Sequence, residues 1–137
     1  MDVLNAMIIR DACRYLLMQH LTAVDREPTD VEAFVGVFAD EFIWKRPGTP
    51  HMRTPADGRA YIERVQAKRR GKNPHGFLQR HGLTTACIDS IDEQTAKGVS
   101  YALIYTDPQY SGTQPAPMTP PESVVEYRDL FKKTLKG

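Results

Sequence analysis

What this chain lacks narrows its chemistry first. Its 137 residues hold no Gly-x-Ser-x-Gly, no Gly-rich phosphate loop and no dinucleotide fingerprint. Serine-nucleophile and nucleotide-dependent reactions are therefore not expected. Two cysteines, Cys13 and Cys87, stand in apolar surroundings and in no paired motif. Reduced thiols and a cytoplasmic setting are the expectation. The four histidines, His20, His51, His75 and His81, show no His-x-His or His-Glu-x-x-His spacing, so neither a metal nor another cofactor is expected. The formal net charge is only +1, which argues against nucleic acid and anionic membrane surfaces as partners. No apolar run nears the roughly 18 residues that a membrane span needs. The N-terminal Met-Asp-Val-Leu-Asn also lacks the basic segment of a signal peptide.

What is present suits one domain, residues 1–137, with 41% hydrophobic and 26% charged residues. Leu4, Met7, Ile8, Ala12 and Tyr15 recur at helical spacing, and Leu16 to Met18 widen the stripe. This predicts a long first helix over about 4–25, ended by Pro28. Thr29-Asp30-Val31-Glu32 has capping-box form and opens a second helix, with Val31, Phe34, Val35 and Phe38 as its core face. Phe42 to Arg46 reads as a short strand stopped by Pro47-Gly48. Asp57 can cap a third helix running to Arg70, with Ala60, Tyr61, Ile62 and Val65 buried. Lys68, Arg69 and Arg70 before Gly71 suit a helix C-terminus better than a nucleic-acid patch.

The second half reads as strands: Phe77 to Ile88, Thr95 to Thr106 and Ser123 to Leu135, with a turn over Asp89 to Gln94. The loop from Asp107 to Glu122 carries Pro108, Pro115, Pro117, Pro120 and Pro121. Such a loop is stiff, and a lid and a dimer contact are both open readings. Helices first and strands afterwards is an α+β order.

One residue stands out. Alternation puts Phe77, Gln79, His81, Leu83, Thr85 and Cys87 on one strand face. His81 is then an imidazole on a half-apolar surface, able to exchange a proton near neutral pH or simply to be a satisfied structural residue. Asp25 is its candidate partner. It shares a helical face with Met18 and Leu21, near a helix C-terminus where the dipole disfavours negative charge. Turning to solvent or capping the next segment is the plainer role for it. If the two meet, the carboxylate fixes the ring tautomer and stabilises the imidazolium formed on proton uptake.

Several stretches together resemble the SnoaL-like branch of the nuclear-transport-factor-like superfamily. They are Arg14-Tyr15 leading to Ala23-Val24-Asp25, and Phe38-Ala39-Asp40-Glu41-Phe42-Ile43-Trp44 followed by Pro47-Gly48. Gly58-Arg59-Ala60-Tyr61-Ile62, Arg80-His81-Gly82-Leu83-Thr84-Thr85, Ala96 to Tyr105 and Glu126-Tyr127-Arg128-Asp129 complete the series. The resemblance implies a cone-shaped curved mixed β-sheet wrapped around three helices, with a deep apolar pocket. It also implies the Asp25–His81 pairing of the dehydratase and dehydrochlorinase branches. Two positions depart from the pattern. Thr85 stands where an Asn is common, and Val24 stands where the dehydratase has a Tyr, which argues against a scytalone-like substrate. The stop at Gly137 implies a last sheet edge that is short or supplied by a partner subunit.

The expectation is a cofactor-free lyase or isomerase, with dehydratase- or cyclase-type acid–base chemistry, on a small, largely apolar, cyclic molecule. His81 is the expected base and Asp25 its orienting carboxylate. Trp44, Tyr101, Tyr127 and Asp129 are the expected pocket contacts, although rings on a strand face are commonly core. Asp129 between Tyr127 and Phe131 needs a partner, with Arg80, Arg128 and a substrate all open. A homodimer is expected. A non-catalytic pocket for a small hydrophobic ligand and a protein-interaction module are the alternatives.

Overall fold

The computed structural model describes residues 1–75, 77–113, 116 and 119–134. Helix α1 spans Val3–Asp25, α2 Val31–Gly36 and α3 Pro55–Lys72. Strands β1 (Leu78–Ser90), β2 (Thr95–Asp107) and β3 (Ser123–Lys132) form one antiparallel sheet in that order. The architecture is α+β, as expected. The described sheet is open and wholly antiparallel rather than mixed, because each strand pairs with its sequence neighbour. The expected strand over 42–46 shrinks to one bridge between Trp44 and Met52, since Pro47 and the positive φ of Gly48 turn the chain at once. Residue 135 of the expected last strand and Pro115 and Pro117 of the proline-rich loop lie outside the described residues.

Local capping explains the helix starts. Asp2 accepts from the Asn5 amide at 2.8 Å, and Asp30 from the Ala33 amide at 3.0 Å. The third start is corrected by three residues. Thr54 is the cap, and Asp57 is its capping-box partner, taking the Arg53 and Thr54 amides at 2.9 Å each. Gly58 lets α3 approach α2 closely, because a Cβ there would lie 3.0 Å from Val35 Cγ1. Ala60, expected inside, is exposed.

Helix α1 buries a different face from the one its first apolar stripe suggested. Leu4, Met7, Ile8, Tyr15 and Met18 are all more than half exposed. Cys13, Leu17, Leu21 and Ala23 are buried instead. The helix is apolar on more than one side, so periodicity alone permits two orientations. The sheet selects the one that seats Cys13 and Leu17 against Ile88 and Ala96. A second cluster joins Ala23 to Phe34, Val35, Met52 and Ile62 at the helical end. Burial of an apolar side chain as complete as that of Phe34 is worth about 1.5–3 kcal/mol.

The sheet's side-chain alternation breaks once. Leu83 pairs with Ala102 and Thr85 with Tyr101, leaving Thr84 as an extra residue in β1. Its hydroxyl donates to the Tyr101 carbonyl at 3.2 Å. Before the bulge His81 and Leu83 face α1; after it Ala86 and Ile88 do. The expectation that Thr85 and Cys87 share a face with His81 is therefore wrong, and both are exposed. Opposite the inward residues of β1 stand Ala96, Gly98, Ser100, Ala102 and Ile104, then Val125, Tyr127, Asp129 and Phe131. Among the described residues no helix is long and apolar enough to cross a membrane.

Candidate functional site

Asp25 is the last residue of α1, and β1 holds it three ways. The Arg80 guanidinium donates to the Asp25 backbone carbonyl at 3.1 Å, satisfying an orphan acceptor at the negative end of the helix dipole. The His81 backbone amide donates to Asp25 Oδ2 at 2.6 Å. The His81 ring places Nδ1 2.6 Å from Asp25 Oδ1. Consecutive residues of a strand point to opposite sides. Arg-His can thus clamp one residue's main chain and side chain together. The side chains are only 5% exposed for His81 and 12% for Asp25, so the pair is shielded from solvent screening. A carboxylate only accepts, so Nδ1 carries the shared hydrogen and the neutral ring keeps its lone pair at Nε2. That atom lies 3.4 Å from the Gln79 amide nitrogen.

The pair borders an open cleft of about 720 Å³, with Thr22, Pro28, Phe77 and Tyr110 also in its wall. Asn73 fixes the Tyr110 side of that cleft by donating to the carbonyls of Pro108 and Tyr110 at 3.1 and 2.9 Å.

Deeper on the inner sheet face the polar groups have fewer partners. Ser100 Oγ and Asp129 Oδ2 are buried without a hydrogen-bond partner among the described residues. Ser100 is 1% exposed. It sits diagonally from Asp129, since it pairs with Tyr127 while Gly98 pairs with Asp129. Burial pushes the Asp129 carboxyl above its ordinary range. Burial, reinforced by the neighbouring Asp129 charge, pushes the Tyr127 phenol up to about 12. Asp25 adds to that shift and Arg46 opposes it.

His20 is a further imidazole that the sequence reading did not select. Its ring centroid lies 5.1 Å from that of Phe34 and 5.8 Å from that of Phe38. Burial, and secondarily the charge of His81, lower it to about 4, so it is neutral at physiological pH. Its position three residues after Leu17 on the buried face of α1 was the available signal.

The other expected contacts divide. Tyr127 and Asp129 do face inward, although neither is in the wall of the Asp25–His81 cleft. Trp44 packs against Tyr61 in the helical cluster, with centroids 5.3 Å apart, and is not in the wall of the Asp25–His81 cleft. Tyr101 is a correction. It is 39% exposed on the outer face, beside Thr85 and Glu126, because it has the opposite parity from inward-facing Ser100 and Ala102. Among the described residues no group of three His, Cys, Asp or Glu side chains is placed to hold a metal ion.

Comparison with known proteins agrees with this architecture. The model of the SnoaL-like domain matches residues 6–137, and the chain belongs to that family. An NTF2-like protein with a cystatin-like fold from Novosphingobium aromaticivorans superposes with a TM-score of 0.69 at 19% identity, over 93% of this chain and 74% of its own. A Catenulispora acidiphila protein solved in complex with S-DNPA gives 0.70 at 14% identity, over 96% and 86%. A candidate scytalone dehydratase from N. aromaticivorans gives 0.67 at 15% identity, over 94% and 76%. No curated protein matches the chain.

Proposed function

We propose that this SnoaL-like chain is a lyase or isomerase whose acid and base are its own side chains, acting on a small, uncharged, largely apolar cyclic molecule. The observation that carries the reading is the buried contact of 2.6 Å between Asp25 and His81, with the second carboxylate oxygen committed to the His81 amide. A pocket that only bound a ligand would need no imidazole with its tautomer fixed and its outer nitrogen left as a base.

In this reading His81 Nε2 takes a proton from a carbon next to an activating group of the ligand. The electron pair of that C–H bond forms a double bond. Either a leaving group departs with its own electrons, or a proton is returned at a different carbon. Asp25 stabilises the imidazolium meanwhile, and such a base is worth about 10²–10⁴-fold in rate. A ligand that reached past the cleft wall onto the inner sheet face would meet the hydroxyls of Ser100 and Tyr127 and the carboxyl of Asp129. His20, Tyr127 and Asp129 are each driven by burial toward their uncharged forms, which favours an uncharged ligand. Relatives solved as a candidate scytalone dehydratase and with a bound small molecule support the same class.

The test is a panel of uncharged cyclic ketones bearing a β-hydroxyl or β-halide, followed by enone absorbance. The wild-type chain should turn over at least one of them, and His81→Ala should lose about 10²–10⁴-fold of that rate. Equal rates in the two proteins would end this reading.

A further inference from the structure

We propose that Gln79, with its amide locked by Arg69, is a positioning residue that fixes the His81 tautomer and opposes a proton on Nε2. The chain of contacts starts in the last turn of α3. Arg69 Nη2 donates to Gln79 Oε1, while its guanidinium lies 5.9 Å from the Phe77 ring centroid. Gln79 Nε2 then faces His81 Nε2 at 3.4 Å, and His81 Nδ1 faces Asp25.

Donor chemistry sets every orientation in this chain. A guanidinium has donors only, so the Gln79 end facing Arg69 must be the carbonyl. The NH₂ end therefore faces His81, and it can only donate to a lone pair. A hydrogen on His81 Nε2 would set two donors against each other. Gln79 could relieve that clash only by turning its NH₂ onto Arg69, which is the same clash moved one residue along. Asp25 at one ring nitrogen and Gln79 at the other thus demand the same tautomer independently.

Their effects on the charged ring are opposite. Asp25 favours the imidazolium, whereas Gln79 disfavours it. The remaining groups around His81 come from several elements. Helix α1 supplies His20, which feels the His81 charge. Arg26 and Glu27 line the cleft after α1, Arg80 lies beside His81 in β1, and Tyr127 on β3 feels Asp25. Among these groups Gln79 is the one in contact with Nε2. It sets a donor against a proton on Nε2 beside a carboxylate that favours one, and an approaching ligand proton displaces only one long hydrogen bond.

The tautomer does not depend on turnover; only its use does, and that use rests on the function proposed above. Long-range ¹H–¹⁵N NMR of the full chain reads it directly, with His81 assigned by the signal lost in His81→Asn. At neutral pH the His81 ring should carry its hydrogen on Nδ1. Gln79→Leu leaves the charge unchanged and should move the His81 titration to higher pH by about 0.5–1 unit, the worth of one hydrogen bond. Gln79→Glu should move it further in the same direction. Arg69→Lys, which still donates to the Gln79 carbonyl, should titrate like the wild-type chain. An Nε2–H tautomer at neutral pH, or unmoved His81 titration in both Gln79 variants, would overturn the proposal. Turnover by His81→Ala would sink the enzymatic reading and leave this spectrum as it is.

Discussion

Two inward-facing carboxyl groups, Asp25 and Asp129, show how one protein treats the same side chain in opposite ways. Asp25 has both oxygens engaged by His81, at 2.6 Å each. Asp129 has Oδ2 buried with no partner among the described residues. A satisfied carboxylate is a fixed part of the framework and orients whatever it touches. An unsatisfied one is costly and is relieved by taking a proton or by meeting a visitor. The inner sheet face thus has a preset end, at the Asp25–His81 pair, and an end whose hydrogen bonds are open, at Ser100 and Asp129.

The largest expected effect attacks the preset end. Asp25→Asn leaves an amide that can accept from only one of the two His81 donors. Turnover of a panel substrate should fall about 10²–10⁴-fold. Denaturant unfolding should show a stability loss of about 1–3 kcal/mol from the mismatched buried group. Retention of both would mean that the pair is only packing.

The next effect reads the buried neutral ring of His20. His20 is lowered from 6.5 to about 4 in the folded state. The unfolded chain therefore binds more protons between those values, and stability falls as pH drops through that window. The loss is on the order of 3 kcal/mol from a shift of that size, full near pH 4 and absent above 6.5. His20→Phe should flatten stability against pH in this range, as measured by denaturant titration. A slope as steep as the wild-type chain's would mean that His20 protonates freely.

How much of this was readable beforehand depended on locality. The caps at Asp2 and Thr54 act within three or four residues, so their surroundings are in the sequence, and even the misplaced cap at Asp57 belonged to the right motif. The Asp25–His81 contact joins residues 56 apart; resemblance and the apolar stripe pointed to it, and no local rule did. The bulge at Thr84 was not readable, because one inserted residue reverses every later side chain without altering composition. Ser100 is an ordinary serine in a strand until the fold buries it. Gln79 was placed on the face of His81 by alternation, but its meaning needs Arg69, which arrives from another element. Tyr101 misled because alternation gives two faces and does not say which is inside.

At the open end, Asp129→Asn tests the cost of the lone carboxyl. Its folded form keeps a proton to higher pH than the ordinary value of 3.8. The wild-type chain therefore loses stability as pH rises from that value, and the loss levels off above the folded-state value. Asp129→Asn should match the wild-type chain near pH 3 and exceed its stability by about 1 kcal/mol at the top of the window. Asp25→Asn should be less stable than the wild-type chain at the same pH. A shared sign would erase the contrast between the two carboxyls.

The smallest effect compares one deleted atom on the two sheet faces. Tyr127 points inward with its phenol held neutral by burial, while Tyr101 is 39% exposed on the outside. Tyr127→Phe should weaken binding of the tightest cyclic ketone of the panel by about 2–10-fold, the worth of one hydrogen bond. Tyr101→Phe should leave that Kd unchanged, because an outer-face hydroxyl reaches only water and surface neighbours. Isothermal titration resolves the difference without any need for turnover. Equal Kd changes would place the ligand outside the inner face, and the polar groups there would then need another explanation. A change in Tyr127→Phe alone ties the ligand to the face that also carries Ser100 and Asp129, so that the one-residue bulge at Thr84, by setting which side chains of β1 join that face, helps to decide what a ligand there would meet.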